Sequence, residues 1–397
     1  MTETPVRLAD PRTAVSTAAG LVPGFAARAA GYDRDGALPA ADLAELRDAG
    51  LLGLMVPARL GGPGAGFADY AEVAMELGRG NGATALIFNM HASVTGALAH
   101  TPDELARALG APDAYFAARD EILSGALGGA RYAVAMSERG AGSRLSEMAT
   151  RYRPDGDGFL IQGEKTFVSG AEGADGYLVA ARSADEPDRV SQFLVPPGDG
   201  VTVEPNWDSM GMRATASHDL RLSVRVGPAA LLGGIEGLAV LVAQVMPQWL
   251  VASYAAVYVG VAQAALDAAV SHVESRGLGR LPAVRARLGR ADADVAAARL
   301  TVLEAARRVD EQPGDLITNR WVWRAKLLAG DTAARVAANV LEAAGTQATR
   351  RGHPLERLYR DARCGALQPA TSDVCADWLG VAALGGDPHA DAATPRW

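Results

Sequence analysis

The strongest constraint on this chain is the order in which two hydrophobic periodicities follow one another. From about Asp35 to Arg131 apolar residues return at helical steps: Leu43, Leu46 and Leu51-Leu52, then Tyr70, Val73, Met75 and Leu77. Pro57 and the Gly61-Gly62-Pro63-Gly64 cluster mark a loop between helices. From about Tyr132 to Val226 the texture changes to short alternating runs (176–181, 191–195, 220–224) cut by Gly, Pro and Asp. That is the pattern of an antiparallel sheet or small barrel. From Gly237 to about Leu384 long Ala/Leu/Val segments restore the helical period. Helices, then strands, then helices, without strand–helix alternation, predict an α+β fold and argue against a Rossmann core. The boundaries fall at 1–131, 132–230 and 231–397, with the first 30 residues read as a flexible lead-in.

A length of 397 residues supplies two or three domains' worth of core, and 49% apolar with 21% charged residues is ordinary for a globular protein. The net charge of −8 excludes the basic stripe that nucleic-acid binding needs. Cys364 and Cys375 are eleven apart, without a CxxC or a His at ligand spacing, so neither a disulfide framework nor a metal site is expected. No basic segment followed by an apolar core opens the chain. The longest apolar run, 235–258, is interrupted by Glu236, Gln244, Pro247 and Gln248, which argues against a membrane span. A cytoplasmic protein is the expectation.

Two glycine corners lie within the strand-rich region. Met136-Ser137-Glu138-Arg139-Gly140-Ala141-Gly142-Ser143 precedes the strand-like run Phe159-Leu160-Ile161-Gln162, and Gly163-Glu164-Lys165-Thr166-Phe167-Val168-Ser169-Gly170 follows it. Either corner alone is common in β domains. Together, in this order, they resemble the flavin-facing corners of the acyl-CoA dehydrogenase superfamily. The resemblance extends to Gly211-Met212-Arg213-Ala214-Thr215-Ala216-Ser217 and to Arg360-Asp361-Ala362, and it covers nearly the whole chain. It implies an N-terminal helical domain, a central antiparallel β domain and a C-terminal four-helix bundle.

The resemblance also implies FAD and a set of residues for it. Met136 and Ser137 would face the pyrimidine end of the flavin ring, with Gly142 and Ser143 toward the pyrophosphate or substrate. Phe167 and Val168 would pack near the ring, and Ser169 would donate to flavin N5. Thr215 and Ser217 would line the site, while Arg213 would be structural. Arg276, Glu342 and Gly345 stand where a neighbouring subunit contacts the dinucleotide, implying a homodimer or homotetramer. Thr371 and Asp373 stand where the loop after the catalytic base contacts FAD.

The catalytic carboxylate is missing. Most relatives carry a Glu eight residues beyond the Asp of Arg-Asp-Ala, and that position is Pro369. The alternative place, ahead of Gly260-Val261-Ala262-Gln263, contains Gln248-Trp249-Leu250-Val251. Without a carboxylate the usual removal of a thioester α-proton has no base. His91 is either the replacement base, imidazole being suited to neutral pH, or a hydrogen-bonded core residue on an apolar helix. Gln368 would orient a substrate. Glu138 reads as a partner of backbone amides, and His218 and His353 as surface or turn residues.

Three functions remain open. The first is a FAD-dependent oxidoreductase acting on a small acyl group held as an acyl-carrier-protein or CoA thioester, with a separate electron acceptor. The segment 365–369 and the tail ending in Pro395-Arg396-Trp397 resemble dehydrogenase-like proteins that make polyketide extender units. The second is a monooxygenase using reduced flavin from a reductase. The third is a non-catalytic pseudoenzyme.

Overall fold

A computed structural model describes residues 8 and 10–390; the tail residues 395–397 lie outside them. Six helices come first: α1 (Ala14–Asp35), α2 (Ala40–Asp48), α3 (Phe67–Gly80), α4 (Gly82–His100), α5 (Asp103–Ala108) and α6 (Asp113–Leu127). Seven strands follow: β1 (Tyr132–Ala135), β2 (Arg151–Asp155), β3 (Gly158–Val168), β4 (Gly176–Ser183), β5 (Val190–Val195), β6 (Val201–Glu204) and β7 (His218–Val226). The remaining helices are α7 (Leu238–Val245), α8 (Ala252–Ser275), α9 (Pro282–Glu311), α10 (Leu316–Ala344), α11 (Pro354–Arg363) and α12 (Ser372–Ala383).

Most of the segment read as a lead-in is helix α1. It buries Ala14, Ala18, Phe25 and Ala29 and lies along α3. A seam of small residues gives a faint hydrophobic signal, yet it fills a close-packed contact well. Helix α4 is apolar on every side and buried throughout 82–96, as befits a helix enclosed by α3, α8 and β1. Helices α3 and α8 cross where Gly78 meets Gly260. A Cβ on Gly260 would lie 2.2 Å from the Met75 carbonyl oxygen, so this separation requires glycine. The long apolar stretch 247–275 is a core element, with 83% of its most apolar window buried inside the protein.

The strands form one sheet in the order β1-β4-β2-β3-β7-β6, with β5 on β4. Four of the six pairings are antiparallel, as expected. The other two are not: β1 and β2 both run parallel to β4. The connection 136–150, which opens with the first glycine corner, carries the chain from β1 over β4 to β2, the long connection that parallel neighbours need. Side chains alternate across the sheet. Leu178 and Ala180 join the helical core, whereas Val179, Ala181, Phe193 and Leu220 build a separate core on the outer face.

The Arg-Asp-Ala turn forms part of α11 and ties three regions together. Asp361 accepts from Met212 N at 2.6 Å, while Arg360 pairs with Asp33 of α1 and donates to Met210 O. Arg213 donates to Asp33 O at 3.0 Å, in keeping with a structural role.

Candidate active site

The two glycine corners meet. Thr166 N donates to Ser137 O at 2.9 Å, and Lys165 Nζ donates to Glu138 at 2.7 Å. The Glu138 carboxylate also accepts from Ala149 N and Thr150 N. Burial alone would raise its pKa, but the Lys165 ammonium and these donors outweigh burial and hold it below the usual carboxylate range. Glu138 is thus the structural partner of amides that the sequence suggests. The β3–β7 register breaks between Lys165 and Val168, and Phe167 sits at φ 58, a conformation uncommon outside glycine. The break turns its ring outward, 59% exposed and edge-on to Trp207.

Phe167 stands over a cleft with about 500 Å³ of space including its open mouth. Met136, Ser137 and Ser143 of the first corner line one side, with Leu145 just after it and Val134 of β1 beside them. Met90 of α4, Leu250 just ahead of α8, Tyr254 in the first turn of α8, and Pro369 line the other. Among the described residues its lining includes three hydroxyl side chains, Ser137, Ser143 and Tyr254, and no carboxylate or imidazole. Burial raises the Tyr254 pKa, and among the described residues its hydroxyl meets only the Met90 sulfur, at 3.7 Å. It therefore stays protonated with its donor capacity nearly free. Sequence reasoning passed over Met90, Leu145 and Tyr254, since all three read as core residues of apolar segments.

The wall containing Pro369 is held from two helices. Lys326 Nζ of α10 donates to the carbonyls of Gly365, Gln368 and Ala370 at 2.9, 3.1 and 2.8 Å. Tyr258 of α8 donates to Gln368 Oε1 at 2.8 Å, so Gln368 has a structural partner.

His91 is corrected as a candidate base. It is 1% exposed and turned away from the cleft. Tyr132 N donates to Nδ1 at 3.2 Å, which leaves Nε2 to carry the proton and donate to Leu52 O at 2.7 Å. Burial pushes its pKa down to about 4. Both nitrogens are committed to the backbone. His218 is corrected as well: it is buried, and its Nδ1 accepts from Asn206 N and Trp207 N.

Other expected residues divide. The Val168 side chain belongs to the outer core of the sheet, away from the cleft. Ser169, Ser217 and Thr215 form a buried chain of hydroxyls at 2.9 and 2.6 Å, ending on Met212 O. Gly142, at φ 62, has open space where a Cβ would stand. Thr371 caps α12, and Asp373 is exposed in its first turn. Arg276 follows α8, about 30 Å along that helix from Tyr254. Glu342 is at the same end of the bundle, where it pairs with Arg287 at 2.6 Å instead of standing free toward a diphosphate. Gly345 ends α10 beside it.

Residues 18–109, 133–224 and 243–377 match the N-terminal, middle and C-terminal domains of acyl-CoA dehydrogenase. The L-evernosamine nitrososynthase of Micromonospora sp. is 31% identical over 97% of this chain and 93% of its own. This chain belongs to the acyl-CoA dehydrogenase family. Among solved structures, KijD3 in complex with FMN and a dTDP-amino sugar has a TM-score of 0.82 at 28% identity, covering 96% of this chain and 95% of that one. TdsC of Paenibacillus sp. with FMN and indole has a TM-score of 0.82 at 25% identity, covering 94% and 97%. In this member of the acyl-CoA dehydrogenase family, both positions expected to carry a glutamate, Leu250 and Pro369, face the cleft and are apolar.

Proposed function

We propose that this protein is a flavin-dependent monooxygenase of the acyl-CoA dehydrogenase family. It takes reduced flavin from a separate reductase. One oxygen atom of O₂ enters the substrate and the other leaves as water, the two electrons coming from the reduced flavin. The observation that carries the reading is the cleft's lining of three hydroxyls with no carboxylate or imidazole. Removing a thioester α-proton requires a base, and among the described residues no side chain lining the cleft can act as one near neutral pH.

The cleft suits a flat ring with a polar edge. Ser137 and Ser143 offer hydroxyls for hydrogen bonds on one side, while Met136, Leu145 and Phe167 offer apolar surface. When bound and reduced, the flavin supplies the electrons for oxygen chemistry. The serine hydroxyls orient the ring edge. Met90, Leu250 and Pro369 exclude water from the opposite wall, and Tyr254 presents a proton at its Oη toward the reacting partner. Ser169 would supply a hydroxyl for flavin N5, its bond to Ser217 at 2.9 Å fixing its orientation. Arg276 and Gly345 serve a dinucleotide only from a second copy, which makes the working form a homodimer or homotetramer.

An alternative, FAD-dependent oxidation of a small acyl group on CoA or an acyl carrier protein, has family membership in its favour. One assay separates the two. Oxygen uptake and product formation with reduced flavin and a reductase support the monooxygenase. Anaerobic bleaching of bound FAD by butyryl-CoA or an acyl-carrier thioester, without need of a reductase, replaces it with the oxidoreductase. Failure to take up flavin in either redox state leaves a pseudoenzyme.

A further inference from the structure

The hydroxyls of Ser169, Ser217 and Thr215 are buried, and the chain they form ends on a carbonyl. Its three gaps are Ser169 Oγ to Ser217 Oγ at 2.9 Å, Ser217 Oγ to Thr215 Oγ1 at 2.6 Å, and Thr215 Oγ1 to Met212 O at 2.8 Å. Each hydroxyl carries one proton and a carbonyl carries none, so the last gap is closed by the Thr215 proton. Thr215 Oγ1 then accepts from Ser217, and Ser217 Oγ accepts from Ser169. Three protons fill three gaps in one direction only, toward Met212. Turning any one of them round leaves two buried oxygens face to face without a proton, an arrangement that burial penalises. The backbone holds the chain in place: Gly170 N donates to Thr215 O at 2.7 Å, and Arg131 Nη1 donates to Gly170 O at 2.8 Å.

Ser169 therefore turns its proton inward and keeps only lone pairs for a group on its other side. The resemblance puts flavin N5 there, with Ser169 as the donor; the direction of the chain reverses that role. Oxidised flavin has a bare lone pair at N5 and calls for a donor, whereas reduced flavin carries N5–H and calls for an acceptor. We propose that Ser217 and Thr215 are positioning residues that fix Ser169 as a hydrogen-bond acceptor, so that the site prefers reduced flavin to oxidised flavin. Both act through the Ser169 oxygen. Such a preference suits a protein that receives reduced flavin from a reductase, since it captures the reduced form and lets the oxidised form go. The proposal rests on the flavin reading of the cleft, but its test needs neither substrate nor turnover.

The test is anaerobic titration of the flavin-free protein with FMN and with FAD, each oxidised and reduced, followed by tryptophan fluorescence. Reduced flavin is expected to bind at least tenfold more tightly than oxidised flavin. Thr215→Val keeps the side chain's shape, and Met212 O keeps its bonds from the backbone N of residue 215 and from Trp207 Nε1, both at 3.1 Å. Without the Thr215 hydroxyl, Ser217 can donate to Ser169, which frees the Ser169 proton for a bare N5. The preference is then expected to fall at least tenfold, chiefly through tighter binding of oxidised flavin. Each tenfold lowers the two-electron midpoint potential of the bound flavin by about 30 mV. Ser217→Ala frees the same proton and is expected to act alike, so the proposal stays testable should Thr215→Val fail to fold. Ser169→Ala removes the oxygen through which both act, so adding Thr215→Val to it is expected to leave the preference unchanged. Tighter binding of oxidised flavin by the wild type, a preference indifferent to the folded variants, or an equal effect of Thr215→Val beside Ser169→Ala would each overturn the proposal while the flavin reading stands. Failure to bind flavin in either redox state would overturn both.

Discussion

His91 offers the sharpest test, because its two roles predict opposite behaviour. The imidazole is enclosed, stacks on Tyr132 and bonds Leu52 O and Tyr132 N. Its pKa is about 4 in the fold against about 6.5 in the unfolded chain. Between those values the unfolded chain holds a proton that the native one does not, so stability rises with pH across that window. The contribution is complete above about pH 6.5 and is lost as pH falls toward 4; it amounts to roughly 3 kcal/mol. His91→Gln cannot titrate, but its amide can still donate and accept. It is expected to fold at pH 7 and to lose about one proton's worth of the pH dependence of unfolding between pH 6.5 and 4. His91→Ala leaves a buried carbonyl and a buried N–H without partners and is expected to cost roughly 2–6 kcal/mol at pH 7. Urea unfolding followed by tryptophan fluorescence from pH 4.5 to 7.5 measures both. A His91→Gln protein that follows the wild-type pH curve, keeps wild-type stability and loses 10²–10⁴-fold in turnover would refute the core reading and restore His91 as a base.

Three further perturbations follow from the geometry. Tyr254→Phe removes the one nearly free donor of the helical wall; turnover should drop by roughly 10²-fold while thermal stability and flavin affinity hold, and unchanged turnover would clear Tyr254 of a role. Lys165→Met leaves the Glu138 carboxylate buried beside its amides without a counter-ion and should cost about 3–5 kcal/mol in chemical unfolding. Much of that loss should return in the Glu138→Gln/Lys165→Met double variant. Gly96→Ala would put a Cβ 2.3 Å from the rigid Trp249 ring and should cost roughly 1–3 kcal/mol, read as a lowered melting temperature.

Much of the architecture could be read in the chain, because a period of 3.6 or of 2 is a local property that survives without knowledge of partners. Helix α1 escaped notice because its buried seam is mostly alanine. The parallel pairing of β1 and β2 with β4 also went unseen, since strand direction is decided by how a connection crosses the sheet and not by alternation. The glycine corners were legible for a different reason: Gly140 and Gly142 take positive φ values that few other residues adopt, and this marks the sequence itself.

The chemistry divides along the same line. By itself the sequence determined that the two expected glutamates are replaced by Leu250 and Pro369, since the identity of a side chain needs no coordinates. Only the tertiary structure decided which groups face the cleft. Met90 and His91 are consecutive on α4, yet a helix turns about 100° per residue. One lines the cleft and the other is locked between Leu52 and Tyr132. Tyr254, three residues into α8, became a cleft donor only when that helix met the glycine corners. The sequence could show what was missing from the site, but which neighbours a side chain meets is settled by contacts between distant segments.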